Sequence, residues 1–149
     1  MSMRGIRGAI TVEQNEKEAI WQAAKAMMQE LIARNELAPE DIGAVIFSMT
    51  EDLTAAFPTA GVRQLPGFDL VPLFDARQCA IEGSLGKCIR VLVLADTEKK
   101  QRDIHHIYMG RAVALRPDIR RASRKSHGID TKSYKIAQPP VLFVENLVE

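Results

Sequence analysis

A mixed-sheet domain, of the α/β or α+β class, is the fold that this 149-residue chain predicts. Three features carry the expectation. Val91 to Ala95 is an unbroken apolar run, rich in β-branched residues and of strand length, which reads as a buried central strand. Ile20, Ala24, Met27 and Leu31, with Ala23, Met28 and Ile32 beside them, recur at helical spacing with charges on the other side. Strand-like and helical stretches alternate along the chain until two strands follow in succession, which indicates a mixed sheet.

Each element has a local cause. Met3 to Val12 reads as a first strand, with Gly5 and Gly8 where something packs closely. Asn15-Glu16-Lys17-Glu18 has the form of a capping box, an N-cap side chain with Glu three positions on, and so starts the helix. Met27 and Met28 on its apolar stripe read as core filler. Asn35 and then Pro39 mark its end. Gly43 to Met49 reads as a second strand, from which Thr50-Glu51-Asp52-Leu53 turns away. Phe57-Pro58 opens a short helix through Leu65, since proline suits the first helical position. Pro66-Gly67 closes it, Asp69 to Phe74 is a third strand, and Asp75 to Lys87 a loop leading into the central strand. Glu98 to Asp103 is a solvated connection, and Ile104 to Leu115 forms the last strand of the domain.

Arg90 sits at the mouth of the central strand. An unpaired guanidinium is expensive to desolvate, so it must pair with an internal carboxylate, reach solvent, or await an anionic ligand. The pattern recurs: Arg7 lies in Ile6-Arg7-Gly8-Ala9-Ile10, and Arg116 ends Ala112-Val113-Ala114-Leu115-Arg116. Three arginines on three strand-like runs suggest a pocket for a small molecule bearing carboxylates. On the last strand, period two puts Tyr108, Gly110, Ala112, Ala114 and Arg116 on one face. Such a face of small residues leaves room for a ligand, or for the close approach of a neighbouring backbone. Both readings stand at this point.

Composition bounds the function classes. With 46% apolar and 26% charged residues the chain is an ordinary globular one, and a net charge of +1 argues against bulk attraction to nucleic acid or membrane. No long apolar segment follows the N-terminal arginines, and no stretch approaches the roughly 20 apolar residues that span a bilayer. Cys79 and Cys88 form neither a disulfide framework nor a four-ligand zinc site, and reduced thiols in a cytoplasmic protein are the simplest account. After Pro117 the character changes: four of the six residues from Arg120 to Lys125 are basic, without the interleaved aromatics of a nucleic-acid surface. Val141 to Val144 is a short apolar run suited to lying against another subunit as an added strand.

Familiar catalytic groups are missing from the sequence. It has no Gly-rich phosphate loop and no Gly-x-Ser-x-Gly elbow. His105 and His106 are adjacent and face opposite ways in a strand, so they cannot share a metal. Cys88 has no evident activating base. A site of arginines and small polar groups would work by positioning and electrostatics.

Several motifs in register resemble the monofunctional AroH-class chorismate mutases. They are Met3-Arg4-Gly5-Ile6-Arg7-Gly8-Ala9 with Thr11-Val12-Glu13, Phe57-Pro58 with Val62-Arg63, and Val71-Pro72. Gly83-Ser84-Leu85, Lys87-Cys88-Ile89-Arg90-Val91, Tyr108 and Leu115-Arg116-Pro117-Asp118 continue the match. It covers residues 1–118 as one domain and leaves 119–149 as a basic C-terminal extension, docked on a neighbouring subunit if its apolar run pairs there.

The resemblance implies an α+β fold, a mixed β-sheet with helices on one face, three copies forming a barrel-like core with active sites between neighbours. It implies an isomerase that converts chorismate to prephenate by an intramolecular Claisen rearrangement, with no cofactor, metal or covalent intermediate. By similarity Arg7 would hold a substrate carboxylate, Tyr108 would hydrogen-bond to the ligand, and Arg90 would reach the ether oxygen. Phe57 would supply an apolar wall, Leu115 would contact the substrate, and Arg63 and Arg116 would stand at the rim and help close or steer. Phe74, Asp75, Ala76, Arg77 and Gln78 would face Arg7 and Arg90 across an interface. Where Bacillus-type members carry a glutamate this chain has Gln78, whose amide oxygen still accepts a hydrogen bond but brings no charge to orient Arg90. Asp75 nearby is expected to restore that charge. A non-catalytic carboxylate-binding trimer and a deaminase with a similar arginine are the competing classes.

Overall fold

The computed structural model describes residues 1–115 and the strand Val141–Glu145. Six strands form a single mixed sheet in the order β3-β2-β4-β1-β5-β6, where β1 is Ser2–Thr11, β2 Ile42–Met49, β3 Leu73–Arg77, β4 Cys88–Thr97, β5 His105–Met109 and β6 Val141–Glu145. Helix α1 (Lys17–Arg34) packs on β1 and β5, and the short α2 (Pro58–Val62) packs on α1 and β3, so both helices lie on one face. The central strand pairs antiparallel with β1 on one side and β2 on the other, whereas β1–β5 and β2–β3 are parallel.

Alternation along the strands separates the two faces. Ile89, Val91, Val93 and Ala95 of β4 are buried against the helices with Ile20, Met27, Met28 and Leu31 of α1. Arg90, Leu92 and Leu94 point the other way and are half-buried, so the central run is not enclosed on both sides. Gly8 lets α1 approach: a Cβ there would lie 3.0 Å from both Met27 Sδ and Val91 Cγ1.

Four expectations need correction. The N-cap of α1 is Glu16 and no side chain caps it. Asn15 instead reaches across to the loop before α2, its Oδ1 accepting the N–H groups of Thr54 (2.9 Å) and Ala55 (3.0 Å). Strand β3 is shifted toward the C-terminus, because Phe68–Leu70 is a 3-10 turn behind Gly67 at φ 83° and pairing with β2 begins only at Leu73. Helix α2 ends at Val62 and continues to Leu65 as turns.

The fourth concerns the last strand. β5 stops at Met109; Gly110 takes a φ of 60° and Gly110–Leu115 is a 3-10 turn. The cause is its partner. β5 pairs with β1 only as far as Ile10, β1 ends one residue later, and the Thr11 hydroxyl accepts the Arg111 N–H at 2.9 Å. The alternating face of Tyr108, Gly110, Ala112 and Ala114 therefore does not exist. β6 adds a strand to the edge of the chain's own β5, with Val141 opposite Met109 and Glu145 opposite His105. Arg116 and the basic stretch from Arg120 to Lys125 lie outside the described residues.

Candidate active site

The register lays one row of residues across the sheet: Ala76 on β3, Ser48 on β2, Arg90 on β4, Ala9 on β1 and Tyr108 on β5. With strands about 4.8 Å apart, Arg90 and Tyr108 flank Ala9 at roughly 10 Å, across a side chain too small to fill the gap. Arg7, two residues along β1 and opposite Leu92, shares this face and is exposed. Ala112 and Leu115 from the 3-10 turn pack against Ala9, Cys88 and Tyr108. The structure thus brings Arg7, Arg90, Tyr108 and Leu115 to one patch on the sheet face away from the helices.

Polar groups in this patch are poised rather than satisfied. Arg90 Nε and Gln78 Oε1 are both enclosed and without a hydrogen-bond partner among the described residues. An enclosed guanidinium N–H with nothing to donate to is costly unless a ligand supplies the acceptor. Burial pushes the Cys88 thiol above its ordinary pKa and so favours the protonated thiol over the thiolate, against the opposing pull of the Arg90 charge. Among the described residues no group of three or more His, Cys, Asp or Glu side chains could hold a metal ion. No helix among them is long and apolar enough to cross a membrane.

Strand alternation splits the block from Phe74 to Gln78. Phe74, Ala76 and Gln78 share the face of Arg90, while Asp75 and Arg77 belong to the helix side. Asp75 therefore cannot restore charge beside Arg90 of its own chain. Its carboxylate accepts the Thr59 hydroxyl and, at 3.4 Å, the Thr59 N–H in the first turn of α2. Phe57 and Arg63, both exposed, bracket α2 in the helix layer. The helix is fixed from behind: Trp21 Nε1 donates to the Phe57 carbonyl at 3.1 Å, and a Cβ on Gly61 would lie 2.9 Å from Trp21 Cα. Within one chain the residues implicated by sequence therefore fall into two groups on opposite layers, and Arg116 lies outside the described residues.

Sequence reading missed Thr50 and Asp52, which it took for a simple turn. Both form hydrogen bonds to the chain just ahead of Arg90. A hydroxyl followed two residues later by a carboxylate at a strand end is a turn-stabilising pair, and that was the available signal.

The family model described as chorismate mutase type I matches residues 3–119. The chorismate mutase AroH of Thermus thermophilus is 46% identical over 121 residues, covering 80% of this chain and 98% of that protein. The Bacillus subtilis (strain 168) protein of the same name is 41% identical over 119 residues, 80% of this chain and 94% of its own. Among solved structures, a chorismate mutase from Clostridium thermocellum superposes with a TM-score of 0.73 at 37% identity, over 75% of this chain and 99% of that one. These matches set aside the non-catalytic and deaminase readings: the chain belongs to the type I chorismate mutase family, and it is an isomerase converting chorismate to prephenate in aromatic amino acid biosynthesis.

Proposed function

We propose that Arg7, Arg90 and Tyr108 form the substrate-facing half of the active site, and that catalysis there is by positioning and electrostatics alone. Chorismate carries two carboxylates, and a guanidinium fork matches a carboxylate bidentately. Arg7, exposed at the edge of the patch, takes one of them. Arg90 donates to the ether oxygen, where negative charge grows as the C–O bond breaks. Tyr108 hydrogen-bonds to the ligand and Leu115 closes over it, with Arg116 at the rim. Holding the side chain of chorismate folded over the ring converts a rare conformer into the bound one. The observation that carries this reading is the Nε of Arg90, enclosed and without a partner among the described residues, beside the small Ala9.

The other half of the site comes from a neighbouring copy in a homotrimer. Phe57 and Arg63 on the helix layer cannot reach their own chain's Arg90 face, whereas a second copy can present them to it. The sheet face around the patch supports such assembly: Met3 is 65% and Phe74 64% exposed, next to half-buried Leu92, Leu94 and Ile46. An uncovered apolar surface of this kind marks a contact surface. Residues 1–118 form the catalytic domain and 119–149 an extension that adds β6 to its edge.

The assay follows loss of chorismate absorbance with the purified full-length protein. Arg90→Lys keeps the charge but loses the planar fork, and is expected to lower kcat by roughly 100- to 1,000-fold, the worth of one preorganised donor at a developing oxyanion. Wild-type turnover by Arg90→Lys would reject the oriented-donor mechanism.

A further inference from the structure

The start of β4 is held in an unusual way. Lys87, a non-glycine residue, has a φ of 48° in the left-handed region, three residues before Arg90. Such a conformation persists only where its surroundings over-determine it. Here each polar group of Lys87 is tied: its N–H donates to both Asp52 oxygens (3.0 and 2.9 Å), its carbonyl accepts the Val12 N–H (2.9 Å), and Nζ donates to the Glu13 carbonyl (3.0 Å). The next residue is captured by Thr50. Cys88 N–H donates to the Thr50 hydroxyl (3.0 Å), and the Thr50 N–H donates to the Cys88 carbonyl (3.0 Å). The same hydroxyl donates to Asp52 Oδ1 at 2.5 Å, which closes the network. Gly86 allows the approach, for a Cβ there would sit 2.7 Å from Asp52 Oδ2. Cys88 in turn lies two residues before Arg90 on β4, so the two side chains share one face of the sheet.

We propose that Thr50 and Asp52 are positioning residues for Arg90: they lock Lys87 in its left-handed turn and Cys88 against β2, and so aim the guanidinium into the patch. The inference rests on the role of Arg90 argued above. Asp52 is itself exposed and its hydrogen bonds go to Thr50 and Lys87, so its geometric hold on Arg90 passes through this chain of contacts, which Thr50→Val breaks without removing a charge. An asparagine at position 52 keeps only one acceptor, and its amide group turned toward the Lys87 N–H would oppose donor to donor.

Asp52→Asn and Thr50→Val are expected to lower kcat by roughly 10- to 100-fold with KM little changed, since a small misplacement of a catalytic group costs that much. Thr50→Ser, which retains the hydroxyl, recovers most of what Thr50→Val loses. Adding Lys87→Gly to Asp52→Asn also recovers most of the loss, because glycine adopts positive φ without a clamp. Circular dichroism and thermal unfolding of each variant establish that the protein compared is folded. Should Thr50→Val not fold, the surface change Asp52→Asn carries the test. Wild-type kcat in Asp52→Asn beside a crippled Arg90→Lys overturns the clamp alone. A loss of kcat that follows the loss of folded protein and is not recovered by Lys87→Gly overturns it as well. Normal turnover by Arg90→Lys removes the role of Arg90, and this proposal with it.

Discussion

Asp75 and Gln78 sit on the same edge of the sheet, yet they serve opposite layers. Gln78 lies on the face of Arg90 with its Oε1 enclosed and unpartnered among the described residues. Asp75 is engaged by Thr59 at the start of α2, where it satisfies an N–H that the helix itself leaves without a partner. Asp75→Asn and Thr59→Val are each expected to lower stability by about 1 kcal/mol and to raise KM more than they lower kcat, because α2 presents Phe57 and Arg63 rather than Arg90. The double variant should be no worse than either single change. Thermal unfolding and steady-state kinetics on the four proteins read this coupling, and simple additivity would show that the two side chains act independently.

At the scale of elements, α1 is anchored better at its end than at its beginning. Asn35 is buried just past the last turn, where its Nδ2 donates to the carbonyls of Leu31 and His105 (both 2.9 Å) and its Oδ1 accepts the His105 N–H at 2.8 Å. One amide thus ends the helix and joins it to β5. At the other end Glu16 has extended N-cap geometry and no side-chain bond, because Asn15 is occupied with Thr54 and Ala55. Glu16→Asp should therefore stabilise the protein by roughly 0.5–1 kcal/mol, since the shorter carboxylate can accept from the first-turn N–H groups. Asn15→Ala should destabilise it by about 1 kcal/mol or more, through the loop before α2 and not through the helix. Denaturant unfolding of both variants measures the two opposite signs.

At the scale of the sheet, the described residues seal one face with α1 and α2 and leave the other half-open. Leu92 lies on the open face between Arg7 of β1 and Ile46 of β2. Leu92→Glu leaves the helix-side core untouched but places a charge where a neighbouring copy would sit. It is expected to yield a folded, dissociated protein with turnover that falls further on dilution, read by analytical ultracentrifugation alongside the absorbance assay. A wild-type sedimentation profile that reports a monomer would remove the shared-site reading at once.

Local periodicity was enough to determine most of the elements. The α1 stripe, the central strand with its alternating Ile89, Val91 and Val93, and the motifs around Arg7 and Arg90 depend on neighbours a few residues away, where spacing and side-chain type suffice. The clustering of Arg7, Arg90 and Tyr108 around Ala9, by contrast, is a product of register between three strands distant in sequence. The end of β5 was decided by the end of β1, since a strand without a partner has nowhere to send its hydrogen bonds. Asn15 likewise had the composition of a cap and the position of one, but Thr54 and Ala55, brought close only by the fold, offered its amide other partners. Spacing along the chain decides which face a side chain takes; what it meets there is decided by the strand and helix that tertiary packing sets beside it.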